Sequence, residues 1–324
     1  MQRQPAAILL TGGRISQSFK LDTPVKYKAL LQINGRPMVD YVLRALQESE
    51  VERVFIIQEN DEGLDGIVTR SNKNIFLSSE QESTTVISNL FFGLEKAVEY
   101  YGLDEFNRRD ILVVPCDIPL VKKENLNRLI EEHKHNRNNS DISVPIIDKR
   151  YLEHAYPQRR FRGVYFKDLK GTYVWQYAVF LNCARITFKD CEKYKTKTLA
   201  ISGLHKNALL DLGETYNRLR RHREKIYQWP HTIYEVVGGL AKNRHLLYAL
   251  RLTYGLCRRE LTTQQINNAF YIATGLRFNQ FESKEVEVSA DIDRPDHLEW
   301  LLRTEALPIP EQEPRGRSNL SVTS

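Results

Sequence analysis

The stretch that most constrains the fold is residues 111–120, with the sequence ILVVPCDIPL. Its β-branched apolar start is typical of a strand buried on both faces of a sheet. It then changes to a lone carboxylate, Asp117, followed by Pro119, which cannot continue ladder pairing. Open α/β sheets bind ligands just beyond the carboxyl ends of their strands. Asp117 is therefore a candidate Mg²⁺ ligand, and the alternative is that it caps the next helix or makes a turn.

Around this stretch, predicted strands and helices alternate through the first half of the chain. The predicted strands cover residues 6–10, 54–57, 75–77, 111–114 and 142–147. The predicted helices begin at Pro37, at Ser83 and near Lys122, each with apolar residues at helical spacing. This order predicts a mainly parallel sheet covered by helices.

The second half of the sequence is less regular. Its patterns predict a loop or hairpin at 151–170, a strand at 173–181, helices at 199–227 and 233–258, a strand at 278–288 and a short helix near Leu298. We interpret residues 1–305 as a single domain in which about 200–275 form a helical accessory insertion. The Pro-, Glu- and Ser-rich residues 306–324 predict a disordered tail.

Composition limits the classes of partner. The 324 residues carry 47 basic and 41 acidic side chains, a net charge of +6. This excess suits anionic substrates such as nucleotides, but it is too mixed to predict nucleic-acid binding. The four cysteines form no CxxC pair and predict reduced thiols. The first apolar run is too short for a signal peptide or a membrane span, so a cytoplasmic location is expected.

Two basic stretches leave alternatives open. The arginines at 218–223 are either a solvated helix face, which we favour, or an anion site. The amphipathic stretch 233–258 is expected to be a packed accessory helix or a homodimer contact. A membrane-surface role is the less favoured alternative for it.

The first predicted strand ends in Leu10, Thr11, Gly12 and Gly13. Glycines at this point allow the backbone to approach a phosphate with its N–H groups, as in nucleotide-binding domains. A plain Gly-Gly turn is the alternative, since the full GxGxxG pattern is absent.

Together with this loop, three further motifs occur in a recognisable order. They are Lys28-Ala29-Leu30-Leu31 leading to Gly35-Arg36-Pro37-Met38-Val39, then Cys116-Asp117-Ile118-Pro119-Leu120, then Asp291-Ile292-Asp293-Arg294-Pro295-Asp296-His297-Leu298. With them the chain resembles the NTP-transferase family of the molybdenum-cofactor guanylyl- and cytidylyltransferase (MobA-like) type. The resemblance covers roughly residues 5–303 and is loose from about 151 to 278.

The resemblance implies a Rossmann-like, glycosyltransferase-A-type α/β fold, whose mixed, mainly parallel sheet has helices on both faces. It implies that an NTP binds at the strand ends. The nucleotide-binding residues it implies are Leu10, Thr11, Gly12 and Gly13 of the glycine loop, Lys28 at the phosphates, and Ser88 and Asn89 beside the base. It also implies Mg²⁺ as cofactor, held by Asp117 and Asp293. Two carboxylates at strand ends suit Mg²⁺, which takes its other ligands from phosphates and water.

These features predict a Mg²⁺-dependent nucleotidyltransferase. Lys28 and Asp117 are its catalytic candidates. It would transfer an NMP moiety from an NTP, with CTP or GTP favoured, to a phosphorylated small-molecule acceptor and release pyrophosphate. Such transfer requires positioning and charge neutralisation, and no covalent enzyme intermediate.

Two alternatives remain. Residues 291–293 are formally the DxD of a glycosyltransferase, although their place before the last helix is unusual for that motif. A non-catalytic nucleotide-binding protein is the other alternative. It is supported by the glycine loop, which lacks the third glycine and the arginine of the family pattern LxxGxGxRM.

Overall fold

The structure is a computed structural model. It describes residues 3–11, 13–15, 19, 25–59, 63–64, 67, 75–80, 86–191, 196–201, 204–205, 252, 255, 258–274 and 276–303.

The strands and helices are numbered in chain order. The strands are β1 (Ala6–Leu10), β2 (Gln32–Ile33), β3 (Arg36–Pro37), β4 (Arg53–Glu59), β5 (Ile75–Glu80), β6 (Asp110–Pro115), β7 (Ile142–Asp148), β8 (Val164–Phe166), β9 (Gly171–Trp175), β10 (Val179–Asn182), β11 (Ile186–Cys191), β12 (Thr196–Ile201), β13 (Leu204–His205) and β14 (Phe278–Glu282). The α-helices are α1 (Met38–Glu48), α2 (Val86–Tyr101), α3 (Leu103–Phe106), α4 (Lys123–Asn136), α5 (Lys149–Ala155), α6 (Thr263–Thr274) and α7 (Pro295–Arg303).

The central sheet has the order β5-β4-β1-β6-β10-β7-β9-β8, and β14 pairs with β7. Strands β5, β4, β1 and β6 are mutually parallel, and β14 is parallel to β7. Strand β10 lies antiparallel between β6 and β7. The expected Rossmann-like α/β fold with a mixed, mainly parallel sheet is confirmed.

Helices cover both faces of the sheet, because alternate residues of the fully apolar β1 point to opposite sides. Leu9 belongs to a core with Leu43 of α1 and Leu129 of α4. Ile8 belongs to the opposite core, with Leu94 of α2. Burial on both sides explains why the sequence of this strand shows no polar alternation.

Helix α2 approaches β1 closely at Gly93. A Cβ atom there would lie 2.9 Å from Ile8 Cγ2 and 3.1 Å from Ile57 Cγ1. A side chain at this position would therefore overlap the core, and glycine sets the distance between helix and sheet.

The elements predicted in the first half are present. The helix predicted from Pro37 begins at Met38 with Pro37 as N-cap. The strand predicted at 75–77 extends to Glu80, and the helix predicted from Ser83 is described from Val86. The helix after Asp117 begins at Lys123, with Lys122 as N-cap.

Two predictions at 151–181 need correction. Residues 151–170 were predicted as a loop or hairpin. They first complete α5 and then enter the β8–β9 hairpin. The predicted single strand 173–181 is two strands, β9 and β10, which pair one after the other with the same edge of β7, while β14 pairs with the opposite edge. The chain bulges between them, since residues 176–179 lie opposite only 144–145 of β7, and Gln176 N–H donates to Pro145 O at 2.9 Å.

Two further predictions are wrong. The alternating Val286 and Val288 lie in a 3-10 helix, Val286–Ser289, after β14 has ended. The Glu285 carbonyl just before it accepts from Gln176 Nε2 at 2.6 Å. A helix was predicted from residue 199, but residues 199–201 are the end of β12, which pairs with β11 and β13. In residues 199–205, ladder pairing with the adjacent segments of the chain overrides local helix propensity.

Several predictions fall outside the described residues. These are the arginines at 218–223, most of 233–258 and the tail 306–324, so the single domain with a helical insertion stays a prediction. Within 233–258 the structure describes Leu252, Gly255 and Arg258, each in helical conformation. Cys116 and Cys183 are buried free thiols. No helix of the described residues is both long and apolar enough to cross a membrane.

Candidate active site

Asp117 lies directly beyond the carboxyl end of β6, at the edge of the sheet where ligands bind in this class of fold. Its side chain does not cap α4, whose N-cap is Lys122, and Asp117 Oδ2 accepts from Lys28 Nζ at 3.1 Å. Its backbone carbonyl accepts from Ile292 N at 2.8 Å. This bond joins the two aspartate motifs, which lie far apart in sequence.

Lys28 reaches this point because the segment that precedes it in sequence bonds back to the loop after β1. Ile15 N donates to Lys26 O at 3.0 Å, and Lys28 N donates to Gly13 O at 2.8 Å. Gly13 also donates its own N–H to Thr11 O at 2.7 Å. The lysine is therefore tied by its backbone to the glycine loop, while its side chain extends towards the aspartates.

The Lys28 ammonium bridges both aspartate motifs. It donates to Asp117 Oδ2 and contacts Asp293 Oδ1, although these partners are 89 and 265 residues away. The Lys28 side chain is 14% exposed and that of Asp293 is 55% exposed, so the cluster opens to solvent on the Asp293 side. Burial acts to lower the pKa of Lys28, but the charges of Asp117 and Asp293 outweigh it and raise this pKa.

The three aspartates differ in electrostatics. Burial raises the pKa of Asp117 above its usual value, and the charge of Lys28 opposes that rise. Burial raises the pKa of Asp291 well above its ordinary range, and nearby Asp293 raises it further. Burial also acts to raise the pKa of Asp293, but a hydrogen bond from Asp291 and the charge of Lys28 lower it to about 2. Asp293 is therefore ionised and accepts from its neighbour.

Arg159, which precedes β8, supports the segment that carries Asp293. Its Nη2 donates to Asp291 O at 2.9 Å and to Asp291 Oδ1 at 3.1 Å. It also lies 3.2 Å from His297 Nδ1, which accepts from Asp293 N at 3.4 Å. The guanidinium is buried and lies over the rings of Phe161 and Trp300. The sequence patterns gave no signal for this residue.

Tyr177 is a second residue that the sequence analysis missed. It lies in the bulge between β9 and β10, where its N–H donates to Val288 O at 3.3 Å. Its ring is partly exposed, and its hydroxyl lies within the electrostatic influence of Asp291. Burial of the hydroxyl, with the charges of Asp291 and Asp293, raises its pKa well above the usual value.

The remaining predicted site residues occupy different positions. Leu10 ends β1, and Thr11 is fully buried, with its hydroxyl donating to Ile57 O at 2.8 Å. Asn89 is buried in α2. Gly12 and the side chain of Ser88 lie outside the described part of the chain. The structure thus brings Lys28, Asp117 and Asp293 into contact, next to the loop at Gly13.

The donor set at this cluster suits Mg²⁺. Asp117 and Asp293 present carboxylate oxygens to one cation, the Lys28 ammonium, so they already form a site for positive charge. In the described part of the chain, no three His, Cys, Asp or Glu side chains form a group that could hold a metal. Two carboxylates are sufficient for Mg²⁺, which takes further ligands from substrate phosphates and water.

Comparison with known proteins identifies the family of the chain. Residues 7–198 match the family model of the MobA-like NTP transferase domain. The chain belongs to this family. The chain is therefore a nucleotidyltransferase-family protein.

Two further similarities are to single proteins. A 3-deoxy-manno-octulosonate cytidylyltransferase of Wigglesworthia glossinidia brevipalpis is 23% identical over 129 residues, which are 39% of this chain and 49% of the relative. The chain therefore spans about half the length of that curated relative. A hypothetical transferase structure from Thermus thermophilus has a TM-score of 0.59 at 19% identity, over 91% of this chain and 99% of that one. At this identity the likeness shows a shared fold.

Proposed function

We propose that this protein transfers an NMP moiety from an NTP to a phosphorylated small-molecule acceptor and releases pyrophosphate. The observation that carries the proposal is the contact of Lys28 with both Asp117 and Asp293 beside the loop at Gly13. In a member of an NTP-transferase family, one cation and two carboxylates at the strand ends are suited to a metal-bound triphosphate.

Each residue has a distinct proposed role. The Lys28 ammonium binds phosphate oxygens, and the backbone near Gly13 approaches the triphosphate, with Asn89 proposed beside the base. Asp117 and Asp293 would hold Mg²⁺, which would neutralise charge on the phosphates. Arg159 and Asp291 hold the Asp293 segment in place.

The reaction is a single displacement. An acceptor oxygen forms a bond to the α-phosphorus, while the bond from this phosphorus to the β-phosphate oxygen breaks and pyrophosphate leaves. The protein contributes alignment and charge stabilisation, which account for most phosphoryl-transfer catalysis. We propose CTP or GTP as donor. The cytidylyltransferase relative, which is named for 3-deoxy-manno-octulosonate, favours CTP.

The glycosyltransferase alternative is weakened by the environment of Asp291. This residue is buried against Arg159, and the Lys28 contact is made by Asp293. A pair of metal-binding carboxylates at 291 and 293 would require Asp291 to leave that arginine. The non-catalytic alternative still has the altered glycine loop in its favour.

The test is calorimetric titration with CTP, GTP, UTP and ATP, with and without Mg²⁺, followed by pyrophosphate release with a panel of phosphorylated sugars and alcohols. Asp117→Asn and Asp293→Asn should each lower pyrophosphate release at least about a hundredfold. Asp104→Asn, an exposed aspartate in α3, is the matched control and should leave release unchanged.

Three outcomes would contradict the proposal. Failure to bind any NTP would exclude transfer from an NTP. Binding without pyrophosphate release across the panel would favour the non-catalytic alternative. Turnover of a nucleotide-sugar in place of an NTP would favour the glycosyltransferase.

A further inference from the structure

The two carboxylates that would hold a divalent cation are already neutralised by a side chain of the protein. Lys28 Nζ lies 3.1 Å from Asp117 Oδ2 and contacts Asp293 Oδ1. The ammonium is thus placed between the two proposed metal ligands. A divalent cation on the same oxygens would be repelled by it at very short range.

The backbone of Lys28 is hydrogen-bonded to the glycine loop. Its side chain therefore has a second possible position, beside that loop. Lys28 N donates to Gly13 O at 2.8 Å. A Cβ on Gly13 would lie only 3.7 Å from Lys28 Cδ, so the lysine side chain runs along this loop. Rotation of the outer part of the side chain would carry the ammonium from the carboxylates towards a phosphate at the loop.

Solvent reaches the cluster from the Asp293 side. The Asp293 side chain is 55% exposed, whereas those of Lys28 and Asp117 are 14% and 18% exposed. An anionic ligand entering from solvent therefore meets the Asp293–Lys28 contact before it meets Asp117. A triphosphate offers several acceptor oxygens to the ammonium in exchange for the carboxylates it leaves.

We propose that Lys28 occupies the divalent-cation site of the free protein and that the triphosphate removes it, so that the protein binds the cation with the nucleotide and not before it. This inference rests on the proposed function, because it assigns Asp117 and Asp293 to a cation. It adds that the position of the Lys28 side chain sets the order in which nucleotide and cation bind. Charge on the lysine excludes a free metal ion until phosphate oxygens accept the ammonium.

The test measures Mn²⁺ binding without nucleotide, by the electron paramagnetic resonance signal of free Mn²⁺. Lys28→Met, which removes the charge and keeps the length of the side chain, should bind Mn²⁺ at least about tenfold more tightly than the wild type. The matched control is Lys26→Met, which loses the same charge from a lysine lying over the Tyr27 ring. It should bind Mn²⁺ like the wild type.

A double variant identifies the site. Lys28→Met combined with Asp117→Asn should lose the gain in Mn²⁺ affinity, because one of the two proposed ligands is gone. A gain that persists in the double variant would overturn the proposal. So would a Lys28→Met protein that binds Mn²⁺ no more tightly than the wild type.

A second comparison needs no lysine variant and remains available if Lys28→Met does not fold. Without nucleotide, the wild type should bind Mn²⁺ no more tightly than Asp117→Asn, since Lys28 excludes the ion in the wild type. Wild-type binding more than about tenfold tighter than that of Asp117→Asn would overturn the proposal.

The results separate this inference from the proposed reaction. Suppose that the wild type releases pyrophosphate but Lys28→Met gains no Mn²⁺ affinity. That result would overturn the proposed competition between Lys28 and the cation, and it would not contradict the proposed reaction. A gain of affinity without any NTP turnover would support the competition and contradict the reaction.

Discussion

His297 should make the stability of this protein fall as the pH is lowered from 7.5 to 4.5. Its ring lies between two guanidinium groups, with Arg159 Nη2 3.2 Å from Nδ1 and Arg294 Nε 3.3 Å from Nε2. Burial, followed by the charges of Arg159 and Arg294, lowers the pKa of His297 from 6.5 to about 4. The ring also accepts the N–H of Asp293, so its protonation acts on the candidate site itself.

The sign of the effect follows from proton binding. Between pH 6.5 and about 4 the unfolded chain protonates this histidine and the folded chain does not, so lowering the pH favours unfolding. Stability is therefore retained above pH 6.5 and lost as the pH falls towards 4. For a fully buried ring the shift would correspond to about 3 kcal/mol, and partial exposure of this ring reduces our expectation to about 1–2 kcal/mol.

The assay is urea unfolding followed by circular dichroism at pH 7.5 and pH 4.5. His297→Asn keeps an acceptor near the position of Nδ1 and should lose about 1–2 kcal/mol less than the wild type between these two pH values. His154→Asn, an exposed histidine at the end of α5, is the substitution control. An equal loss of stability in His297→Asn and the wild type would refute the reasoning.

Three further substitutions test the packing and the site. Gly93→Ala should lower the free energy of unfolding by about 1–2 kcal/mol in urea, because overlap with Ile8 costs more than the roughly 1 kcal/mol that alanine adds to a helix; an unchanged value would contradict the packing. Arg109→Met should cost about 2 kcal/mol in the same assay, since this buried guanidinium pairs with two glutamates that are partly exposed; no loss would show that the pairs contribute little. Arg159→Lys should lower pyrophosphate release at least about tenfold with little change in NTP affinity, because one ammonium cannot hold both the carbonyl and the carboxylate of Asp291; an unchanged rate would exclude a positioning role.

The part of the site closest to the proposed chemistry could be inferred from sequence. Asp117 follows a strand that is recognisable from its own apolar run, and strand ends meet at one edge of a parallel sheet. Lys28 and Asp293 were identified as candidates from motifs of the family that the chain resembles. The structure places all three in contact, although their roles in binding and catalysis remain proposals.

The residues that support this cluster could not be inferred in the same way. Arg159 contacts Asp291 across 132 residues, from a loop whose basic and aromatic composition carries no period. Tyr177 lies near the aspartates because the chain bulges between β9 and β10, where the Tyr177 backbone bonds to Val288. Neither position has a local sequence pattern, since both depend on which strands become neighbours.

The sequence by itself determined the elements that rest on local physics. Burial on both faces makes β1 and residues 111–115 of β6 apolar, and one buried face gives α1 its helical spacing, so all three can be located without a structure. The tertiary structure alone decided where β10 entered the sheet and that the Val286–Ser289 segment became a 3-10 helix. It also decided that Lys28 would lie between two distant carboxylates. The reason is that strand pairing and ion pairing depend on spatial neighbours, which local spacing along the chain does not specify.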